Sequence, residues 1–307
     1  MKKILVATEK PFAKAAIDQI APVVKEAGYE LVLLEKYTDK AELLAAVKDV
    51  HAMIVRSDKV TREVVEAAQE LKIVVRAGAG FDNLDLEACT EKGIVAMNTP
   101  GQNSNAVGEL VLGMMVFMAR NGYNGTAGTE LRGKKIGIHA YGNVGHYVAE
   151  IAKGFGMEIY AFDPFVAKEK IEAAGIKPLE TVEELYSTCD YVSLHIPANE
   201  HTKQSINYDL LNKMPKGGTL VNTARKEVIH EEEILKLMAD RPDFTYISDI
   251  APDNKADFEA NFEGRFFFTP KKMGAQTAEA NINAGVAAAK QIIGFIENGD
   301  ETFRVNK

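Results

Sequence analysis

Short apolar, β-branched runs alternate with amphipathic stretches from one end of the chain to the other, and this alternation limits the fold more than any other feature. The first half reads as strand 3–8, helix 12–27, strand 30–34, helix 41–47, strand 52–55, helix 61–68 and strand 73–76. Strands this short, each followed by a stretch long enough to cross back, predict parallel sheets with helices on both faces. At 97–105, MNTPGQNSN, the Pro, Gly and Asn predict a linker. An apolar helix is expected at 106–120, and the pattern restarts with a strand at 134–140. Further strands are expected at 158–162, 191–195, 219–222 and 245–249, and a long Ala-rich helix at 277–298. A chain of 307 residues has room for two such α/β units, each with its own core.

Composition narrows the function classes. The net charge of −8 argues against a nucleic-acid binder, which ordinarily carries a basic excess. The longest apolar run, 110–119, falls short of the roughly 20 residues a membrane span needs. The opening MKKILVATEK lacks the apolar centre of a signal peptide, so a cytoplasmic location is expected. Cys89 and Cys189 are too far apart in sequence for a metal-ligand motif, and no metal site is predicted.

The second unit carries a glycine fingerprint that the first lacks. After the strand comes A-x-G-x-x-G, built from Ala140, Gly142 and Gly145. In a dinucleotide fingerprint the first glycine makes the tight turn, the second admits a pyrophosphate to the backbone, and the third lets helix and strand pack closely. Ala140 departs from the first requirement; Gly142 and Gly145 keep the others. The helix that follows offers free N–H groups to the phosphates. Asp163 ends the next strand, 21 residues beyond Gly142, where an acid would hold the adenosine ribose hydroxyls. This predicts a Rossmann-like dinucleotide site, with NAD as the cofactor because a carboxylate there repels a 2′-phosphate.

Six motifs in one order carry a further resemblance: VRAGAGFDNLD at 75–85, MNTPGQNSNAVGEL at 97–110, GKKIGIHAYGNVG at 133–145, FDP at 162–164, SLHIP at 193–197 and VNTAR at 221–225. Together they resemble the D-isomer-specific 2-hydroxyacid dehydrogenase family over essentially the whole chain, and within it the short phosphoglycerate branch that ends without a regulatory domain. The resemblance implies an α/β fold of two doubly wound parallel-sheet domains, Rossmann-like and flavodoxin-like. The NAD-binding domain, 99–282, is inserted into a discontinuous substrate-binding domain, 1–98 plus 283–307. It also implies a homodimer to which the 106–120 helix contributes, and no partner among nucleic acids or membranes.

Residue by residue, the resemblance gives Arg225 the role of the catalytic cation, suited to hold a 2-keto acid through parallel hydrogen bonds. The family's acid/base is a His paired with a Glu. Here TPKKMGAQT puts Lys272 in the His position when counted back from GAQT, and Lys271 when counted from TP; Asn254 stands where the family has Glu, beside Asp253. Lys272 is expected to carry the proton. The cofactor is assigned to Gly142, Asn143, Val144, Gly145 and Asp163, to the loop residues His195, Ile196, Pro197 and Thr202, to Thr223, Ala224 and Arg225, to Asp249, and to Lys272, Gly274 and Ala275. A catalytic imidazole at His195 is a weaker reading than a place beside the cofactor. For a phosphorylated hydroxy or keto acid, Arg56 and Arg76 stand at strand ends where ligands bind, with Lys59 on the same loop and the N–H groups of Ala79 and Gly80 beside them. Two readings compete with phosphoglycerate oxidation. One is a hydroxypyruvate, glyoxylate or D-lactate type of reductase, which needs only one cation. The other is a non-catalytic NAD-sensing protein that kept the fold.

Overall fold

A computed structural model describes residues 1–306 of the chain. The chain divides into two compact units, Met1–Asn103 with Gln276–Lys307, and Ser104–Ala275. The second crossing thus precedes the long C-terminal helix rather than falling inside it. That helix, Ala278–Asn298, is capped by the Thr277 side chain, which accepts from Ala280 N, and it packs against the Lys14–Glu26 helix of the first unit.

The first unit is a five-stranded parallel sheet. Its strands are β1 (Lys3–Thr8), β2 (Glu30–Glu35), β3 (Ala52–Val55), β4 (Ile73–Arg76) and β5 (Val95–Asn98), in the order β2-β1-β3-β4-β5. Strands β3 and β5 are buried at every position, as a sheet covered on both faces requires. Met97 and Asn98, read above as linker, are the end of β5. The edge of that strand is closed by the C-terminal segment: Met97 bridges to Arg304, and the buried Asn306 side chain accepts from Ala96 N at 2.7 Å. The linker proper therefore starts at Thr99.

The second unit is a seven-stranded parallel sheet. It comprises β6 (Lys135–His139), β7 (Glu158–Phe162), β8 (Lys177–Pro178), β9 (Tyr191–Leu194), β10 (Thr219–Asn222), β11 (Thr245–Ser248) and β12 (Phe266–Phe268). The order is β12-β11-β10-β9-β6-β7-β8. Each sheet has a point where the strand order reverses, between β1 and β3 in the first and between β6 and β9 in the second. In open α/β sheets the crevice beyond the carboxyl ends at such a point is where ligands bind.

The fingerprint turn lies at the second switch point. Ala140 has φ +78°, a left-handed conformation that costs a residue with a Cβ about 1–2 kcal/mol. Gly145 is required by packing: a Cβ there would overlap the Ala140 carbonyl oxygen and crowd Ile138 at 2.9 Å. At Gly142, the N-cap of the Asn143–Gly154 helix, an added Cβ would meet nothing within 4 Å, so the space beside its backbone is open. Among the described residues no helix is long and apolar enough to cross a membrane.

Candidate active site

In the second unit, Asn222 ends β10 and its side chain shapes the turn that follows. Its Oδ1 accepts from Ala224 N and its Nδ2 donates to the Arg225 carbonyl, both at 2.9 Å. Arg225, half-buried, folds back so that Nη1 donates to the Ala224 carbonyl at 2.9 Å. Lys272 arrives from a distant loop and its Nζ donates to that same oxygen at 3.2 Å. Two cations 47 residues apart in sequence thus meet on one acceptor. An arrangement of this kind can orient an anionic keto acid and pass a proton to its oxygen.

Asp249, just past β11, has no exposed surface and sets the loop that carries Lys272. Its Oδ1 accepts from Thr269 Oγ1 at 3.0 Å and Met273 N at 2.7 Å, and its Oδ2 from Gly274 N at 2.8 Å. A Cβ on Gly274 would come 2.9 Å from that Oδ2. Ala275 is half-buried next to it. Asn254 commits half of its amide: Nδ2 donates to the Glu231 carbonyl at 2.8 Å, while Oδ1 is buried without a hydrogen-bond partner among the described residues. Neighbouring Asp253 pairs with Lys226 at 2.5 Å. Both border an open cleft that Lys203 and Gln204 also line.

The residues expected around a dinucleotide gather at the C-terminal ends of β6, β7, β9 and β10. Asp163 accepts from Tyr141 N and from Phe165 N, each at 2.8 Å, which joins the end of β7 to the fingerprint turn. Asn143 is exposed and Val144 half-buried in the first turn of the helix. After β9, Ile196 is buried and Pro197 exposed; Thr202 Oγ1 donates to the Pro197 carbonyl at 2.5 Å and so closes that loop on itself. Among the described residues, Thr223 Oγ1 and His195 Nε2 are buried without a hydrogen-bond partner. Buried polar atoms of this sort are ordinarily satisfied. Together with the open space at Gly142 and the carboxylate at Asp163, they fit a dinucleotide laid across the strand ends.

In the first unit, Arg56 follows β3 at the switch point. Its Nη1 donates to the Lys10 and Pro11 carbonyls, each at 3.1 Å, its Nη2 donates to Asn281 Oδ1, and the guanidinium lies 5.1 Å from the Phe12 ring centroid. Burial pushes its pKa below the ordinary guanidinium value, against the opposing pull of Asp58. Arg76 Nε donates to the Arg56 carbonyl at 3.0 Å, and its guanidinium folds over Gly78, where any side chain would overlap it. Thus Arg56 and Arg76 come together, and part of the Arg56 fork is committed to the protein itself. Lys59 and Ala79 are exposed and Gly80 is half-buried; the Ala79 carbonyl accepts from Asn98 Nδ2 at 2.5 Å.

Sequence reasoning missed Asn222. The signal available was an Asn two residues before a turn amide, the spacing at which its side chain caps the turn.

Residues 113–267 match the family model described as D-isomer specific 2-hydroxyacid dehydrogenase, NAD binding domain. The chain is similar to the NAD+-bound 3-phosphoglycerate dehydrogenase of Entamoeba histolytica, with 48% identity, a TM-score of 0.87, and coverage of 100% of this chain and 99% of that one. The D-3-phosphoglycerate dehydrogenase of Methanocaldococcus jannaschii is 36% identical over 272 residues, 82% of this chain and 51% of the relative, so the chain spans about half that relative's length. The hydroxypyruvate reductase of Thermotoga maritima is 34% identical over 283 residues, 86% of this chain and 90% of the relative.

Two histidines, one buried and one half-buried, shift in the same direction. His139, at the end of β6, shares a contact of 3.2 Å between Nδ1 and Tyr186 Oη, and burial lowers its pKa to about 4. Desolvation of its ring, with His139 adding repulsion, lowers His195 to about 3, which favours the neutral imidazole. A folded-state pKa below the unfolded value near 6.5 means that the unfolded chain binds more protons between the two. The stability linked to His139 is therefore full above about pH 6.5 and is lost progressively as pH falls toward about 4. Urea unfolding followed from pH 7 to pH 5 should show a declining midpoint, and His139→Gln should flatten the decline. An unchanged slope in that variant would mean that His139 already carries its proton when folded.

Proposed function

The chain belongs to the D-isomer-specific 2-hydroxyacid dehydrogenase family, and from that membership we propose that it is an NAD-dependent D-3-phosphoglycerate dehydrogenase, interconverting 3-phosphoglycerate and 3-phosphohydroxypyruvate at the head of serine synthesis. The observation that carries the reading is the meeting of Arg225 and Lys272 on the Ala224 carbonyl. Gly142, Asn143, Val144 and Gly145 would hold the pyrophosphate at the helix N-terminus, Asp163 the ribose hydroxyls, and Thr223, Ala224 and the 195–197 loop the rest of NAD. NAD supplies the hydride acceptor when bound. Arg225 holds the substrate carboxylate and polarises its C2 oxygen. In the reduction direction the Lys272 ammonium gives a proton from Nζ to that oxygen; in oxidation the neutral amine takes it back.

The phosphate is assigned to Arg76 and Arg56. Desolvation of Arg56 supports this, because a half-buried guanidinium gains from an arriving dianion. The similarity to a hydroxypyruvate reductase over 90% of that relative favours a second reading, in which the substrate has no phosphate. A homodimer is part of the proposal. In the Ser104–Ala119 helix, Leu110 and Val116 pack on the unit's core and Phe117 on Tyr123 and Phe267, yet each keeps part of its apolar surface exposed for a partner to cover; a monomeric mass by light scattering would remove this part.

Asp163 should select NADH over NADPH. Two charges about 4 Å apart interact by about 4 kcal/mol at an effective dielectric of 20, which solvent reduces to a preference of roughly 10²-fold in kcat/KM. Equal efficiency with the two cofactors would count against the site, and Asp163→Ala should narrow the gap.

The deciding experiment is a panel of 2-keto acids with NADH. The proposal expects 3-phosphohydroxypyruvate to exceed hydroxypyruvate, glyoxylate and pyruvate in kcat/KM; a preference for the unphosphorylated acids establishes the second reading. On the preferred substrate, Lys272→Met should lower kcat about 10²–10⁴-fold in both directions while NADH still binds. For the wild type, oxidation should rise and reduction fall as pH increases. Near-normal turnover in Lys272→Met would move the proton to Lys271 or elsewhere.

A further inference from the structure

We propose that Asn222 is the positioning residue of the cationic pair: its side-chain amide holds the turn after β10 from both sides and thereby aims the carbonyl on which Arg225 and Lys272 meet. The inference rests on the catalytic reading of those two residues.

Asn222 is 2% exposed and fixed as the last residue of a central strand. One side of its amide accepts from Ala224 N and the other donates to the Arg225 carbonyl. The peptide between Ala224 and Arg225 is therefore gripped just before and just after the Ala224 carbonyl. A turn held at only one of these points could rotate that carbonyl away without breaking the strand. The main-chain carbonyl of Asn222 reaches the other loop as well. It accepts from Asp249 N at 2.9 Å and from Ser248 Oγ at 3.2 Å, and the Asp249 side chain anchors Met273 and Gly274, immediately after Lys272. One buried residue thus fixes the Arg225 turn through its side chain and is tied to the Lys272 loop through its backbone. An ordinary turn-capping Asn stabilises a turn and nothing more. Here the group being aimed accepts from two cations whose placement must be held within about 0.5 Å to be productive.

The test uses the full chain and two readouts. The first is calorimetric binding of oxalate to the NADH-saturated protein, since oxalate presents a carboxylate beside a second oxygen as a 2-keto acid does. The second is kcat/KM with the best acid of the panel. Asn222→Asp keeps the acceptor for Ala224 N and removes the donor to Arg225. It should weaken oxalate binding and lower kcat/KM by about tenfold each, the order expected for one lost internal hydrogen bond of about 1.4 kcal/mol, with a clearly smaller loss of NADH affinity, since Thr223 and Ala224 are only part of the cofactor's site. Made in an Arg225→Ala background, the same change should add almost nothing, because a residue that acts through Arg225 has no route left. Equal losses in both backgrounds, a parallel loss of NADH affinity, or no loss at all would overturn the proposal. Should Asn222→Asp fail to fold, Asn222→Ser, whose hydroxyl can still accept from a turn amide, carries the same comparison. A wild-type protein that turns over no keto acid refutes the dehydrogenase reading, while oxalate binding still judges Asn222. If Arg225→Ala binds oxalate as the wild type does, the inference falls.

Discussion

A carboxylate without exposed surface is costly unless its oxygens are filled by donors, and Asp249 is such a carboxylate. Its three acceptor contacts all lie in one loop, at Thr269, Met273 and Gly274, so that loop cannot shift without leaving a buried charge unsatisfied. Lys272 stands next to the two gripped amides. What places this flexible side chain beside Arg225 is therefore the electrostatic requirement of a residue 23 positions earlier. The absent side chain of Gly274 belongs to the same constraint, because the carboxylate occupies the space a Cβ would need.

The device recurs at other strand ends. Asp58, after β3, accepts from Glu9 N at 2.6 Å, Tyr37 Oη at 2.9 Å and Arg56 N at 3.3 Å, and the resulting desolvation and charge drive the Tyr37 pKa upward. Asp163, after β7, accepts from Tyr141 N and Phe165 N. In each case an aspartate near the carboxyl end of a parallel strand holds backbone N–H groups of a neighbouring loop. Parallel strands buried on both faces leave little chemistry to their interiors. Their carboxyl ends carry it instead, and these aspartates convert loops into fixed surfaces for Arg56, for the fingerprint turn and for Lys272.

Much of this was legible in the sequence. The strands at 52–55, 73–76, 158–162 and 219–222 fall where their apolar runs end, because a central parallel strand is bounded by its loops. Strand β5 was hidden, since VAMN runs directly into a Pro-Gly-Asn cluster and its edge is closed by residues some 200 positions later. The fingerprint could be read from spacing, but the left-handed strain at Ala140 could not, because spacing says nothing of φ. Arg56 was legible as a strand-end cation. Its ties to Lys10, Pro11 and Asn281 were not, because they depend on how β1, β3 and the C-terminal helix pack. The common acceptor at Ala224 is a main-chain oxygen, and a main-chain oxygen leaves no mark in a sequence.

The departure from the family's His–Glu pair that the sequence leads one to expect falls among residues whose partners are defined. Asn254 donates to the Glu231 carbonyl while its Oδ1 is buried without a hydrogen-bond partner among the described residues, and the adjacent acid, Asp253, is paired with Lys226. With Arg225 and Lys272 on the same Ala224 carbonyl, two cationic side chains stand close together, an arrangement that favours an arriving anion. Under the proposed reading a substrate carboxylate brings a negative charge to that pair, so part of its attraction to the site is the repulsion it relieves.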